Sequence, residues 1–383
     1  MSKVVIVGTA HPLRGGLAAY NERLARAYQQ RGDEVEIYNF SLQYPSFLFP
    51  GKTQYSSEPA PAGLKITSCI NSINPVNWIR TGLRIKKLKP DLVIIKFWIP
   101  FMAPCLGTIA RIIRKNHHTK IISIMDNIIP HEHRPGDRAL AGYFAGSVDG
   151  FIAMSRKVLK ELDGFDTQKP KIFCPHPLYD HYGDAVPKNK AKRLLGLDHK
   201  LNYLLFFGFI RDYKGLDILL KAFANERLKE GNLRLIVAGE FYTDPKPYQD
   251  LIKDLNLEDK VIMSNDFIPD SEVYKYFCAS DLVVQPYKSA TQSGVTQIAY
   301  HFNKPMIVTR VGGLEEFVPD NRVGFVVEPD PVRLAEAITR YYSENLEEKF
   351  SENVRVEKLK YSWERLLNEI DGLVSKIGYH PKS

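Results

Sequence analysis

The sequence has few cysteines and no long apolar run. Its 383 residues include only four cysteines, which stand far apart at Cys69, Cys105, Cys174 and Cys278. None of them forms a CxxC pair, which argues against a zinc knuckle or a thioredoxin-type redox motif. No apolar stretch approaches the roughly 20 residues that a membrane-spanning helix needs. The opening run VVIVG is too short for a signal sequence, so we expect a protein of the reducing cytoplasm without disulfides.

Acidic residues are scarce in the first half of the chain. Residues 1–180 carry 24 Lys+Arg against 14 Asp+Glu, whereas residues 181–383 carry 28 against 30. The net charge of +8 therefore comes from the first half. Basic and aromatic residues are not interleaved as in a groove-reading protein, so we expect no nucleic acid as partner. An anionic substrate, or peripheral contact with an anionic inner membrane face, fits this charge better.

Strands and helices alternate along both halves of the chain. This alternation predicts an α/β protein of two Rossmann-like doubly wound domains, each with a parallel sheet, that face a cleft. An irregular stretch rich in proline and charge interrupts the pattern and suits a linker. The predicted parts are a first domain at 1–175, a linker at 176–200, a second domain at 201–355, and a tail at 356–383 whose helix packs back on the first domain.

The stretch 206–223 reads FFGFIRDYKGLDILLKAF and predicts a strand, a basic turn and a helix. An apolar run stops at Gly208, two cations follow at Arg211 and Lys214, and apolar residues then recur at helical spacing. Unpaired N–H groups at a helix start, together with two cations, suit a dianion such as a diphosphate. An ordinary strand–helix turn with solvated cations is the alternative, and the local pattern favours neither.

The turn after the first strand, GTAHPLRGGLAAY, lacks the GxGxxG pattern of a nicotinamide site. Gly15 and Gly16 stand directly before the next helix, where glycines let a backbone N–H approach a phosphate. Taken alone, a tight turn without a ligand is the better explanation.

A polar cluster, MDNIIPHEHRPGDR, follows the strand predicted at 120–125. It contains Asp126, Asn127, His131 and Glu132, and polar residues at the carboxyl end of a strand favour substrate binding over a solvated loop. The two histidines have no third ligand at a zinc-like spacing, so we predict no metal site.

Two further segments of the first half leave alternatives open. KFWIPFMAP places Phe97, Trp98 and Phe101 after a strand, where they stack on a sugar or lipid acceptor or pack a wall of the core. The helix NWIRTGLRIKKLK combines apolar residues with five cations, which suits docking to an anionic bilayer. A crossover helix with a solvated basic face is the more common arrangement, and we prefer it here.

Taken together, the motifs resemble glycosyltransferase family 4, whose members have the GT-B fold and use nucleotide sugars. The matching order covers nearly the whole chain: LAAYNERLARAYQQRGDEVEIY, KPDLVIIK, GFIRDYKGLDILLKAF, LRLIVAGE, ASDLVVQPY, KPMIVT, VGGLEEFV and VGFVVEPDP. The resemblance implies that the C-terminal half holds the donor and the N-terminal half the acceptor, with retention of anomeric configuration. It also implies no DxD-bound metal, and the sequence contains no DxD.

The resemblance assigns catalytic and acceptor-side roles. Lys214 keeps the spacing of the family's Gly-Arg…Lys-Gly turn, but Phe209 stands at the arginine position and Arg211 comes two places later. Lys214 and Arg211 are expected to neutralise the departing diphosphate. His131 and Glu132 are expected to hydrogen-bond a sugar. Acceptor-side contacts are expected from Trp98, Asp126 and Asn127.

The stretch SATQSGVTQIAYHFNKP contains no acid, although the family usually has two glutamates eight positions apart here. We favour a divergent branch in which neutral hydrogen-bonding groups take their place over a degraded site. The residues expected to contact the donor are Gly15, Gly16, Gly208, Glu240, Phe267, Ile268, Gln292, Ser293, Gly294, Val295, Thr296, Gln297 and Glu316.

The sequence thus predicts transfer of a hexosyl unit from a nucleotide diphosphate sugar to a glycan or lipid-linked acceptor, in surface polysaccharide or glycolipid assembly and without a further cofactor. Two alternatives stay open. A non-catalytic glycosyltransferase-like subunit that binds a nucleotide or a partner would explain the missing glutamates. A GT-B epimerase acting on a sugar nucleotide would form product without an acceptor.

Overall fold

The computed structural model describes residues 1–45, 53–129, 135–165, 168–290 and 293–378. The chain divides into two compact units. The first unit contains Met1–Pro177 together with the chain from Tyr361 onward, and the second is Leu178–Lys360. Among the described residues, every helix is too short or too polar to traverse a lipid bilayer.

Parallel strands form the sheet of the first unit, in the order β3-β2-β1-β4-β5-β6-β7. Their bounds are β1 (Lys3–Val7), β2 (Glu34–Leu42), β3 (Lys65–Asn71), β4 (Leu92–Phe97), β5 (Lys120–Met125), β6 (Gly150–Ala153) and β7 (Lys171–Phe173). The helices along the same unit are α1 (Gly16–Gln30), α2 (Pro75–Leu88), α3 (Ala103–Arg114), α4 (Asp137–Ala145) and α5 (Arg156–Leu162). The central strands are almost wholly buried because helices cover both faces of the sheet.

In the first unit, two helices begin or end at residues that the sequence predicts. Ser155 caps α5 by accepting a hydrogen bond from the backbone N–H of Val158. Gly32 follows α1 with a φ of +88°, the conformation expected after a helix C-terminus. Three elements were not predicted: the strands β3 and β7 and the helix α4. β3 lies at the sheet edge with only Ile70 fully buried, so its sequence lacks a continuous apolar run.

A second parallel sheet organises the other unit, in the order β10-β9-β8-β11-β12-β13. Its strands are β8 (Asn202–Phe207), β9 (Leu233–Ala238), β10 (Val261–Ser264), β11 (Leu282–Gln285), β12 (Met306–Thr309) and β13 (Gly324–Val327). Its helices are α6 (Lys188–Leu194), α7 (Leu216–Phe223), α8 (Glu226–Lys229), α9 (Lys246–Asp254), α10 (Val273–Ala279), α11 (Gly294–His301), α12 (Pro331–Ser343) and α13 (Glu347–Glu357). The two sheets confirm the predicted α/β class, and all six of these strands lie where the alternation placed them.

The predicted linker at 176–200 is not irregular throughout. It includes the helix α6, and the second unit already begins at Leu178. α6 is held by Lys188, whose ammonium lies 2.5 Å from Asp281 and also pairs with Glu347. The basic sequence KNKAKRL gives no apolar periodicity from which to predict this helix, because its one apolar residue buried in the core is Ala191.

The final helix, α14 (Trp363–Gly378), belongs to the first unit. Its buried residues recur at helical spacing: Trp363, Leu366, Leu367, Ile370, Leu373 and Ile377. Trp363 packs its ring 5.1 Å from that of Tyr20 on α1. The Arg31 guanidinium, just after α1, lies 2.7 Å from the carboxylate of Asp371 on the same helix.

Candidate functional site

The sheet of the second unit changes direction between β8 and β11. The chain proceeds from β8 to β9 on one side, whereas β11 lies on the other side of β8. In open parallel sheets, ligands bind at such a switch point, outside the carboxyl ends of the strands. The two loops that flank this point are the basic turn after β8 and the segment that leads from β11 into α11.

The basic turn after β8 has the predicted strand, turn and helix order. Gly208 follows β8 with a φ of +101°, a 3-10 turn spans Asp212–Lys214, and α7 begins after Gly215. A Cβ atom at Gly208 would lie 2.9 Å from the Nζ atom of Lys214. The absence of a side chain at Gly208 therefore lets the lysine ammonium lie against the backbone at the end of the strand.

Lys214 is a buried cation without a carboxylate partner in the described part of the chain. It is 9% exposed, and its Nζ atom lies 5.4 Å from the ring centre of Tyr287. Burial, aided by the positive charge of Arg211, lowers the pKa of Lys214 to about 8. Because desolvation disfavours this charge, an anion that binds next to it would stabilise the protonated form.

Arg211 and Phe209 share one aromatic neighbour. The Arg211 guanidinium lies 4.9 Å from the ring centre of Tyr242, and the Phe209 ring lies 4.4 Å from the same ring. Phe267, after β10, stacks on Phe209 at 6.1 Å. Phe209, which stands at the family's arginine position, therefore forms an aromatic wall, and Arg211 supplies a cation beside it.

The backbone at Gly215 leaves no room for a side chain. Its φ is +68°, and a Cβ atom there would lie 1.9 Å from the carbonyl oxygen of Pro286. The turn after β8 thus contacts the segment after β11 backbone to backbone. We expect Gly215→Ala to lower the free energy of unfolding by about 2 kcal/mol or more, because a left-handed conformation and a backbone clash combine. Urea unfolding would measure this, with Gly231→Ala as control, since a Cβ atom at Gly231 meets nothing nearer than 3.5 Å.

The first turn of α11 approaches Gly208 from the other side. A Cβ atom at Gly208 would also lie 3.6 Å from a methyl carbon of Val295. Ser293 stands at the N-cap position of the helix, and its hydroxyl lies 3.0 Å from that of Tyr287. The structure therefore brings Lys214 and Ser293 beside Tyr287, and Lys214 and Val295 beside Gly208.

Two tyrosines of this site were not predicted. Tyr287, at the end of β11, connects Lys214 with Ser293, and burial raises the pKa of its hydroxyl. Tyr179 lies against Gly294, where a Cβ atom would meet its ring at 2.8 Å. The run QPY after an apolar strand could have indicated Tyr287, but Tyr179 lies far away along the chain and only folding brings it here.

Buried amides lie behind the start of α11. Thr296 donates a hydrogen bond to the Oε1 atom of Gln285, and both side chains are buried. The Nε2 atom of Gln285 and the Oε1 atom of Gln297 have no hydrogen-bond partner among the described residues. Gln297 is 1% exposed, so its amide has hydrogen-bonding capacity that the described protein groups leave unused.

The other predicted donor residues lie in loops after β9, β10 and β12, at the same carboxyl edge. Glu240 is buried, and its carbonyl oxygen accepts a hydrogen bond from the N–H of Ile210. Ile268 lies half-buried after β10, next to Phe267. Glu316 is exposed in a 3-10 turn, Leu314–Phe317.

In the first unit, the predicted glycines and aromatics take structural positions. Gly15 caps α1 with a φ of +97°, and Gly16 is the first residue of that helix. Phe97 is fully buried and stacks on Phe144 at 4.2 Å, so it belongs to the core and is not available to a ligand. Trp98 is half-buried, and its indole N–H donates to the hydroxyl of Tyr44 at 2.7 Å.

Asp126 pairs with a lysine that sequence reasoning missed. Lys96, the fifth residue of β4, is 2% exposed, and its Nζ atom lies 2.8 Å from the carboxylate of Asp126. The ammonium also lies 3.5 Å from the ring centre of Tyr20. Burial lowers the pKa of Lys96 despite the nearby carboxylate. A charge inside the apolar run LVIIKF was the signal that could have found it.

Three predicted site residues, His131, Glu132 and Gln292, lie outside the described residues. Asn127, beside Asp126, is half-buried. Within the ranges that the structure describes, no group of three or more His, Cys, Asp or Glu side chains is arranged to hold a metal ion.

Comparison with known proteins finds two glycosyltransferase family models that match this chain. The model of Glycosyltransferase Family 4 matches residues 14–178, and that of Glycosyl transferases group 1 matches residues 187–357. The chain is 24% identical over 404 residues to the D-inositol 3-phosphate glycosyltransferase of Acidothermus cellulolyticus, covering 94% of this chain and 84% of that protein. It is 26% identical over 197 residues to the lipopolysaccharide 1,2-N-acetylglucosaminetransferase of Salmonella typhimurium, covering 48% of this chain and 51% of that protein.

A solved structure shows the same fold over nearly the full length. The Anabaena protein HepE, solved in complex with UDP-glucose, aligns with a TM-score of 0.71 at 16% identity, covering 98% of this chain and 100% of that one. The two family models follow one another along the chain, and the sheets have the order that the fold requires. The chain therefore belongs to the group 1 glycosyltransferases and is a glycosyltransferase of the GT-B fold.

Proposed function

We propose that the protein transfers a hexosyl unit from a nucleotide diphosphate sugar to a glycan or lipid-linked acceptor, with retention of configuration and without a metal. The observation that supports this is the buried ammonium of Lys214, which has no carboxylate partner among the described residues and lies beside Gly208, next to the first turn of α11. A diphosphate placed there would meet this ammonium, the Arg211 guanidinium and the free N–H groups of the helix start. These groups would stabilise the negative charge that develops on the leaving nucleotide.

Neutral side chains support a donor site without the usual glutamates. Gln297 and Gln285 are buried, and among the described residues the amide oxygen of Gln297 and the amide nitrogen of Gln285 have no hydrogen-bond partner. An amide can both donate to and accept from a hydroxyl, so a sugar or ribose hydroxyl could complete its hydrogen bonds. A buried polar group that only the ligand satisfies makes the site selective, because analogues without that hydroxyl leave the amide unpaired.

The name of one relative supports the acceptor proposal. The similar Salmonella protein is named for lipopolysaccharide, and the Anabaena structure contains UDP-glucose. We therefore place the protein in surface polysaccharide or glycolipid assembly, with a uridine or other nucleotide diphosphate hexose as donor.

A thermal-shift panel of UDP- and GDP-hexoses tests the donor. We expect one nucleotide sugar at saturating concentration to raise Tm by several degrees, because a ligand that binds only the native state stabilises it. Gln297→Ala should reduce that shift by half or more, whereas Gln249→Ala, on the exposed face of α9, should leave it unchanged. The donor so found should support transfer of radiolabelled hexose to a lipid extract. No shift with any nucleotide sugar would contradict the proposal.

A further inference from the structure

Helix α2 of the first unit carries an outward-facing apolar stripe. Val76, Ile79 and Leu83 are 56%, 47% and 52% exposed, and Ile73, just before the helix, is 52% exposed. At about 100° per residue, Val76, Ile79 and Leu83 fall within roughly 60° of one another on the helix surface. Single exposed aliphatic residues are common, but a stripe of this kind on one helix indicates a surface that is covered in use.

The opposite face of α2 packs on the unit, and the exposed residues take no part in this packing. Thr81, Gly82 and Ile85 are buried, and a Cβ atom at Gly82 would lie 2.9 Å from Ile112 on α3. Trp78 packs on the same core, and its indole N–H donates to the carbonyl oxygen of Asn71. The helix is therefore fixed in rotation, and the apolar stripe is directed away from the unit.

Cations flank the stripe on both sides. Lys86 lies on one side of it, and Arg80 and Lys87 lie on the other. The guanidinium of Arg84 instead lies 5.4 Å from the ring centre of Tyr38 on β2. None of these side chains is within ion-pair distance of a carboxylate in the described chain, and the sequence from 75 to 90 contains no acid. Asp91, the first acid after the helix, already contacts His118 and the backbone N–H of Lys3.

We propose that α2 is a membrane-docking surface that lies in the interface of an anionic lipid bilayer. Aliphatic side chains would enter the acyl boundary, while long basic side chains on either flank reach the lipid phosphates. A second copy of the chain fits less well, because a few half-exposed side chains offer far less than the roughly 1,200 Å² that a specific protein interface buries. A nucleic acid would use the cations but not the apolar stripe between them.

Membrane docking explains why α2 combines exposed aliphatic residues with cations. A solvated crossover helix does not explain this combination. A solvated basic face needs no exposed Ile and Leu at its centre. The inference is independent of the proposed donor site, since it concerns lipid binding without any sugar nucleotide. If the acceptor is lipid-linked, the same surface would bring the enzyme to its substrate.

Vesicle co-sedimentation of the full chain tests the proposal. We expect binding to vesicles of phosphatidylcholine with about 30% phosphatidylglycerol, weak binding to phosphatidylcholine alone, and a marked loss of binding at high salt. The double variant Ile79→Ser/Leu83→Ser should weaken binding about tenfold or more, and Arg80→Gln/Lys87→Gln should do the same. Val332→Ser/Val356→Ser removes two equally exposed aliphatic residues elsewhere and should bind as the wild type does.

Three outcomes would overturn the proposal. The first is wild-type protein that stays in the supernatant with anionic vesicles. The second is unchanged binding by Ile79→Ser/Leu83→Ser alongside weakened binding by the charge variant, which would indicate a general affinity for polyanions. The third is a wild-type dimer, by light scattering, that the serine variant converts to a monomer, since that would assign the stripe to a second copy. Circular dichroism confirms that each variant is folded.

Discussion

Replacement of Lys214 by methionine is expected to lower kcat/KM for sugar transfer by about a hundredfold to a thousandfold. Methionine has a similar length but carries no charge, so in the proposed reaction the leaving diphosphate would lose its buried cation. Steady-state kinetics with the identified donor, together with titration of the free nucleotide diphosphate, would measure the loss. Lys221→Met serves as control, because Lys221 is exposed on α7, the helix that follows the same turn.

The same substitution is expected to stabilise the protein. The pKa of Lys214 is lowered to about 8 from 10.5, so below pH 8 the folded protein holds a charge that burial disfavours. Lys214→Met should therefore raise the free energy of unfolding by up to about 3 kcal/mol at pH 7. The difference should shrink as pH rises from 8 toward 10.5, because the folded wild type loses this proton first. Urea unfolding at pH 7 and pH 9.5 measures both values.

A gain in stability together with a loss of turnover would identify Lys214 as a residue kept for function. A variant that loses stability and activity in parallel at pH 7 would instead make it a structural residue. Donor binding by the wild type should weaken as pH rises above about 8, because the neutral amine no longer attracts the diphosphate.

Lys96→Met is expected to lower the free energy of unfolding by about 3–5 kcal/mol. The substitution removes the ammonium that lies 2.8 Å from the Asp126 carboxylate and beneath the Tyr20 ring. The carboxylate then remains in a largely buried position without its cation. Urea unfolding measures the effect, and Lys3→Met, which removes an exposed pair with Glu34 on the same sheet, should cost about 1 kcal/mol or less.

The double variant Lys96→Met/Asp126→Asn separates the ion pair from simple packing. If the pair accounts for the loss, removing both charges should recover much of the stability that the single variant loses. Equal losses in the single and double variants would mean that the lysine stem, and not its charge, is what the site needs. Asp126 is also predicted to lie on the acceptor side, so its variants should be assayed for the KM of the acceptor.

The sequence indicated the second sheet well because its strands are continuous apolar runs between helices. β9, β11, β12 and β13 have the predicted bounds, since burial on both faces leaves little choice of residue. The basic turn was also readable, because Gly208, Lys214 and Gly215 occur within a few residues of one chain segment. Edge strand β3 and helix α6 were missed, since elements with few buried residues carry a weak periodic signal.

By itself the sequence determined the α/β class, the parallel sheets, the family and the position of the basic turn, because these depend on local periodicity and on an ordered set of motifs. Only the tertiary structure decided that Lys214 and Val295 both lie beside Gly208, that Asp126 is paired with Lys96, and that α2 directs Ile79 and Leu83 outward. Each of these features joins residues distant in sequence or depends on how a helix is rotated against its neighbour. Such relations arise from packing, which a pattern along one chain does not record.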